Sequence, residues 1–210
     1  MKSTLFNMVA VLFTITLIAS AGVGAVNMIT EDAIAEANRQ ATVAAVANVL
    51  PAFEKSEMST MTIDEMPINI YTAVDGSGAV VGYAVETMTM SGFSGKVRMM
   101  VGFDAEGTIL NVNVLEQSET PGLGSKMCDE GNVLLASVQG KNPANLKLKV
   151  KKDGGDIDAL TAATISSRAY ADAVARAYEA FKVASGAQES TDGVSGATEG
   201  HDAQEGGDNE

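Results

Sequence analysis

Two short segments of this 210-residue chain combine the residue types that can hold an anionic ligand. Residues 119–126 contain one proline and two glycines, which favour a tight loop whose backbone amides can approach a planar or anionic group closely. Lys126 adds a positive charge to that loop. Residues 158–167 contain four hydroxyl side chains and lie just before a segment with helical periodicity. Both segments are therefore candidates for the recognition of an anionic group.

The second segment lies where a helix is predicted to begin. The first turn of a helix has unpaired amides and the positive end of the helix dipole, and these bind phosphate. A hydroxyl held at that point could carry a phosphoester whose remaining negative charge the amides would stabilise. The plainer interpretation is that Thr164, Ser166 and Ser167 only cap the helix, and that residues 119–126 only form a turn. The residues alone leave these alternatives open.

The order of residues 158–164 resembles the flavinylation signal D-x-x-[ST]-[GA]-A-T of the FMN-binding domain family. With residues 92–96 and 119–124 and the N-terminal apolar segment, the chain is similar to the G subunits of Rnf electron-transport complexes. It is less closely similar to the C subunits of sodium-translocating NADH:quinone reductases. The resemblance implies that a dedicated transferase takes FMN from FAD and esterifies its phosphate to Thr164. Family members usually have glycine at the position of Ala162, and its methyl group restricts the backbone there.

The resemblance also implies which residues surround the cofactor. Thr164 is expected to carry covalent FMN, and no catalytic residue or metal ligand is expected because the flavin supplies the redox chemistry. The other expected cofactor-binding residues are Asp158, Thr161, Ser166, Ser167, Glu119, Thr120, Gly122, Leu123, Gly124 and Lys126.

A second match to the same signal lies at residues 192–198, and it has the glycine that the first match lacks. Thr198 has no apolar neighbours and no predicted helix to offer amides, and the nearby acids would repel a phosphate. Thr164 precedes an amphipathic helix and has the loop at 119–124 to form a second wall. We therefore expect FMN on Thr164 and not on Thr198.

Composition narrows the function further. The chain has 27 acidic and 14 basic residues and a formal charge of -13, which argues against nucleic-acid binding because phosphate contacts need clustered Lys and Arg. One cysteine and one histidine cannot form an intrachain disulfide or a Cys/His metal cluster, and they make a histidine-assisted nucleophile improbable. The chemistry is therefore expected to come from a cofactor.

The N-terminal segment is predicted to hold the chain in a membrane. Residues 3–30 are uncharged, and about 20 apolar residues span a bilayer. We predict a transmembrane anchor over residues 1–30, the alternative being a signal peptide cleaved at residues 19–21. Lys2 favours an N-terminus on the inner side. The bulk of the chain would then lie on the periplasmic side of the cell inner membrane, and either interpretation exports it.

The remaining elements predict an α+β fold in which a single antiparallel-sheet FMN-binding domain, residues 31–184, is flanked by helices. The predicted elements are a helix over 31–50 with Thr30 as its N-cap, hairpins over 68–87 and 96–115, a short helix over 129–138, a strand over 146–150 and an amphipathic helix over 166–184. Residues 185–210 carry seven acids and no basic residue, and we predict a disordered tail.

Two hypotheses follow. In the first, the chain is an electron-transfer subunit of a membrane oxidoreductase complex that translocates Na+ or H+, with no independent catalysis. Its partners would be the other subunits of that complex and the flavin transferase that matures it. In the second, the chain is an exported, membrane-anchored binding module that holds an anionic ligand noncovalently and has no redox function.

Overall fold

The computed structural model describes residues 5–186, so Thr198 and residues 187–210 of the predicted tail lie outside it. The helices are α1 (Leu5–Val49), α2 (Val133–Val138) and α3 (Thr164–Ala184). The strands are β1 (Lys55–Ile63), β2 (Met66–Val74), β3 (Val80–Gly92), β4 (Gly95–Asp104) and β5 (Ile109–Gln117). Short 3-10 helices occupy Gly124–Cys128, Pro143–Asn145 and Lys151–Asp153. The five strands form one antiparallel sheet in the order β1-β2-β3-β4-β5, and the predicted α+β class is confirmed.

Helix α1 is continuous over 45 residues, about 68 Å at 1.5 Å per residue. The predicted N-cap at Thr30 is wrong, because the Thr30 hydroxyl donates to the carbonyl of Val26 at 2.9 Å inside an unbroken helix. By length and composition, α1 is the one helix within residues 5–186 that is long and apolar enough to cross a membrane. Its only buried residues are Ala45, Val46 and Val49, at the end that joins the domain.

The two faces of the sheet are covered by different helices. Helix α3 packs on one face, where Phe103, Tyr170 and Phe181 belong to the main hydrophobic core. The last turn of α1 packs on the other face, with Val49 against Met100 and its neighbours. A Cβ at Gly102 would lie 2.1 Å from the carbonyl oxygen of Val49, so only glycine allows this approach. The domain is therefore fixed directly onto the end of the long helix.

The two predicted hairpins and the C-terminal helix are confirmed, while three details differ. Strand β1 was not predicted, because its Ser, Thr and Met residues lie mostly exposed at the sheet edge. The predicted strand over 146–150 is wrong, since only Val150 makes an isolated bridge, with Ile157. Helix α2 begins later than predicted, because the side chain of Asn132 caps it by accepting from the amides of Leu134 and Leu135.

Candidate functional site

A cavity of about 340 Å³ opens between the 119–124 loop and the start of α3. Its lining residues are Phe93, Thr120, Leu123, Gly124, Ala162, Ala163, Thr164, Ile165 and Ser166. Three of its apolar side chains remain open to solvent, because Phe93 is 65% exposed, Ile165 46% and Leu123 40%. This volume lies in the range of small-ligand sites. The structure thus brings the two segments identified in the sequence into one pocket.

The start of α3 faces this pocket without a side-chain cap. The helix begins at Thr164, so its N-cap is Ala163, and no side-chain cap hydrogen bond is made there. The Ser167 hydroxyl donates to the Ala163 carbonyl at 2.9 Å and accepts from the amide of Leu160 at 2.9 Å. The Ser166 hydroxyl donates to Glu119 instead. The capping interpretation is therefore wrong, and among residues 5–186 no side chain accepts a cap hydrogen bond at the positive end of the α3 dipole.

The turn that leads into α3 is strained at Ala162. This residue has a φ of +60°, in the left-handed region that suits glycine and costs other residues free energy. The turn is closed by a hydrogen bond of 3.1 Å from the amide of Ala163 to the carbonyl of Leu160. It sets Thr164 at the first position of the helix, beside the pocket. Ala162 thus stands at a position whose backbone conformation favours glycine.

Glu119 ties together three of the segments around the pocket. Its side chain is buried, with a relative exposure of 4% for the residue, and its Oε1 accepts from the amide of Ser94 at 2.9 Å. Its Oε2 accepts from the Ser166 hydroxyl. A Cβ at Gly92 or Gly124 would lie 2.8 or 2.7 Å from a Glu119 carboxylate oxygen. Both glycines therefore leave the space that this carboxylate fills.

Two of the expected site residues in the α3 signal, Asp158 and Thr161, lie outside the pocket lining. The Asp158 carboxylate pairs with Lys151 Nζ at 2.7 Å, and this hydrogen bond lowers the pKa of Asp158. The Asp158 amide donates to the buried hydroxyl of Ser137 at 2.9 Å. Thr161 is exposed, and its side chain makes no hydrogen bond to any described residue. Asp158 thus fixes the approach to α3 rather than lining the cavity.

In the 119–126 loop too, some of the expected site residues line the pocket and others lie outside it. Thr120, Leu123 and Gly124 line the pocket. Gly122 lies at the outside of the turn with a φ of +76°, and its amide donates to the Ser125 hydroxyl at 2.9 Å. Lys126 is exposed within the 3-10 helix and does not line the cavity. The expected positive side chain is therefore absent from the lining, whereas the glycine backbone contributes to it.

Sequence reasoning did not single out two of the apolar lining residues. Phe93 lies in the turn between β3 and β4, and the only signal for it was the resemblance over residues 92–96. Ile165 follows Thr164 and could be taken for a core residue of α3, but it faces the cavity.

A larger, more polar groove of about 570 Å³ is lined by residues of β5, by Asn48 of α1 and by residues 127–139. It contains none of the expected site residues. Within residues 5–186, no group of three or more His, Cys, Asp or Glu side chains could hold a metal ion.

Comparison with known proteins gives four findings. The FMN-binding domain family matches residues 92–179, which include both walls of the pocket. The G subunit of the ion-translocating oxidoreductase complex of Shewanella amazonensis is 35% identical over 173 residues, covering 76% of this chain and 80% of that protein. The G subunit of the Na(+)-translocating ferredoxin:NAD(+) oxidoreductase complex of Acetobacterium woodii is 28% identical over 189 residues, covering 84% and 91%. The crystal structure of Shewanella oneidensis NqrC aligns with a TM-score of 0.37 and 21% identity, over 63% of this chain and 65% of that one.

Proposed function

The chain belongs to the family of G subunits of ion-translocating oxidoreductase complexes, and from this we propose that it carries FMN covalently on Thr164 and passes electrons within such a complex. Its partners would be the other subunits of the complex, and a flavin transferase would attach the cofactor. FMN, when bound, supplies the redox chemistry. The protein would act as a redox subunit without catalysis of its own.

The position of Thr164 carries the proposal. Its side chain lies in the wall of the pocket at the first residue of α3, where no side chain caps the helix. A phosphoester at this hydroxyl would leave a negative charge beside the amides and the positive dipole end of a 21-residue helix. The chain thus leaves a phosphate-binding helix end open at the residue where the family signal predicts attachment.

The rest of the lining suits a planar aromatic group. Phe93, Leu123 and Ile165 offer large apolar side chains that are all exposed and lie together around one cavity. Gly124 has no side chain, so its backbone can approach a flat ligand closely. We propose that these residues hold the flavin ring, while Ala163 and Ser166 form the floor near the phosphate.

We further propose how the site is held at the membrane. Residues 5–30 of α1 would span the bilayer, and residues 31–49 would continue as a stalk of about 28 Å. The domain following the stalk would lie on the periplasmic side, with the N-terminus and Lys2 inside. The uncharged and exposed first half of α1 supports this division.

The test is to locate the flavin on the full chain produced together with a flavin transferase. A denaturing gel viewed under ultraviolet light should show a fluorescent band, and peptide mass spectrometry should find FMN minus water on the Thr164 peptide. Thr164→Val should abolish the band, because valine has nearly the shape of threonine but no hydroxyl to esterify. Thr164→Ser should retain part of it.

Two matched variants serve as controls. Thr161→Val removes a hydroxyl of the same signal that makes no hydrogen bond to a described residue, so attachment should persist. Thr198→Val removes the hydroxyl of the second signal and should also leave attachment intact. A dark band with the transferase present would favour the noncovalent binding module. FMN on the Thr198 peptide would contradict the attachment site while leaving the flavoprotein assignment.

A further inference from the structure

Glu119 is a buried carboxylate without a cationic partner. The residue is 4% exposed, and no ion pair joins it to any other residue of the described range 5–186. Its two oxygens each accept one hydrogen bond, from the Ser94 amide and from the Ser166 hydroxyl. Both oxygens of this carboxyl group therefore serve as hydrogen-bond acceptors in the interior of the domain, with no cation of the described residues beside them.

This carboxyl group lies directly behind the wall of the pocket. Ser166 and Gly124 both line the cavity, and Ser166 donates to the Oε2 of Glu119. The same oxygen lies 2.7 Å from the position that a Cβ of Gly124 would occupy. Only the thickness of one residue thus separates the carboxylate from the cavity. Charges act over short distances more strongly in a protein interior than in water, because the effective dielectric constant is lower.

We propose that Glu119 is a positioning residue whose negative charge lowers the reduction potential of the flavin in this pocket, an inference that rests on the proposed function. In neutral to alkaline solution, FMN takes up two electrons and one proton, so the reduced flavin carries one more negative charge than the oxidised form. A fixed negative charge beside it raises the free energy of the reduced form. Glu119 would therefore favour the oxidised flavin and make the reduced flavin a stronger electron donor.

A comparison of two glutamine variants tests this effect of charge. Glu119→Gln keeps the size of the side chain and can still accept from Ser94 while its amide group meets Ser166. Glu130→Gln removes the same charge from an exposed residue outside the pocket lining. The measurement is a redox titration of the full, FMN-loaded chain in detergent at slightly alkaline pH, with an electrode supplying the electrons and water the proton.

The midpoint potential of Glu119→Gln should be higher than that of the wild type, and Glu130→Gln should match the wild type. Equal potentials for Glu119→Gln and wild type would overturn the proposal, as would an equal rise in both variants. Loss of FMN from a folded Glu119→Gln protein would also overturn it, because Glu119 would then serve only to assemble the pocket. Absence of FMN from the wild type would instead refute the proposed function and this inference together.

A second variant, Ser166→Ala, should shift the midpoint potential in the opposite direction, and it keeps the proposal testable if Glu119→Gln does not fold. Ser166→Ala removes one of the two hydrogen-bond donors to the carboxylate but leaves the charge, which is then less well compensated. The midpoint potential should fall below that of the wild type. If Glu119 acted only through the shape of the pocket, the two variants would have no reason to shift the potential in opposite directions, because both alter the same contact between residues 119 and 166. A rise, or no change, in Ser166→Ala would therefore count against the proposal.

Discussion

Replacing Ala162 by glycine should stabilise the protein. Ala162 has a φ of +60°, a left-handed conformation that brings Cβ too close to the following carbonyl oxygen. Glycine has no Cβ and adopts this conformation without that clash. Because Ala162 is exposed, removal of its methyl group also sacrifices little buried apolar surface. The variant therefore isolates the backbone strain at the entry to α3.

The magnitude follows from two opposing contributions. A left-handed conformation costs a non-glycine residue about 1–2 kcal/mol. Glycine loses more backbone entropy on folding than alanine, which costs about 0.5–1 kcal/mol. Taken at the midpoints of these two ranges, the net gain in the free energy of unfolding should be about 0.7 kcal/mol. For a chain of this size, such a gain raises the melting temperature by about 1–4 °C.

The assay is thermal unfolding of the full chain in detergent, followed by circular dichroism, with covalent flavin measured in parallel. Ala159→Gly is the matched control, since Ala159 lies in the same segment but is not among the residues with positive φ. That control should lose about 0.5–1 kcal/mol from the added chain entropy. A melting temperature of Ala162→Gly equal to or below that of the wild type would refute the strain argument. Flavin attachment should be retained in both variants.

Three further predictions concern the membrane segment, the tail and the helix–sheet contact. A reporter enzyme fused after Ala184 should be active only on the periplasmic side, and cytoplasmic activity would contradict the orientation inferred from Lys2. Deletion of residues 187–210 should leave folding and covalent flavin unchanged, because Gly186 already ends α3 and its amide donates to the Val183 carbonyl; loss of flavin would implicate Thr198. Gly102→Ala should destabilise the protein by at least about 1–3 kcal/mol and lower its melting temperature, because the added methyl group would overpack against Val49. Gly24→Ala, whose Cβ would meet nothing within 4 Å, should leave the melting temperature unchanged.

The sequence predicted those parts of the fold in which a local pattern and a turn signal agree. The hairpin over 68–87 was predicted because alternating apolar residues flank an Asp-Gly turn, and α3 because its apolar residues recur at helical spacing. Strand β1 lacks both signals, since an exposed edge strand buries too little surface to need an apolar face. The 146–150 segment has the alternation of a strand, but Asp156 accepts from the amide of Lys147 and holds the chain in a loop.

The two segments that line the candidate pocket were singled out from the sequence, but three of the expected residues, Asp158, Thr161 and Lys126, lie outside its lining for a common physical reason. Sequence proximity placed Asp158, Thr161 and Lys126 near the ligand, but it cannot tell which side of a turn faces a cavity. The structure turns these residues towards solvent or towards an ion pair. The burial of Glu119 could not be predicted from the sequence either, because it depends on two glycines from different segments that leave room for its carboxylate. The backbone geometry, rather than the residue types, decides these roles.

The long helix gives the proposed site a fixed place relative to the membrane. Helix α1 has no break between residue 5 and residue 49, and its C-terminal end packs on the sheet through buried apolar contacts. A hydrogen bond of 3.1 Å from the side chain of Asn111 to the carbonyl of Asn48 adds a polar attachment at the same end. With residues 5–30 in a bilayer, the stalk and the domain would therefore move as one body. If the chain carries electrons as proposed, this attachment would prevent it from approaching its partners on a flexible linker, and the partner subunits would have to bring their electron-transfer sites within reach of the Thr164 pocket.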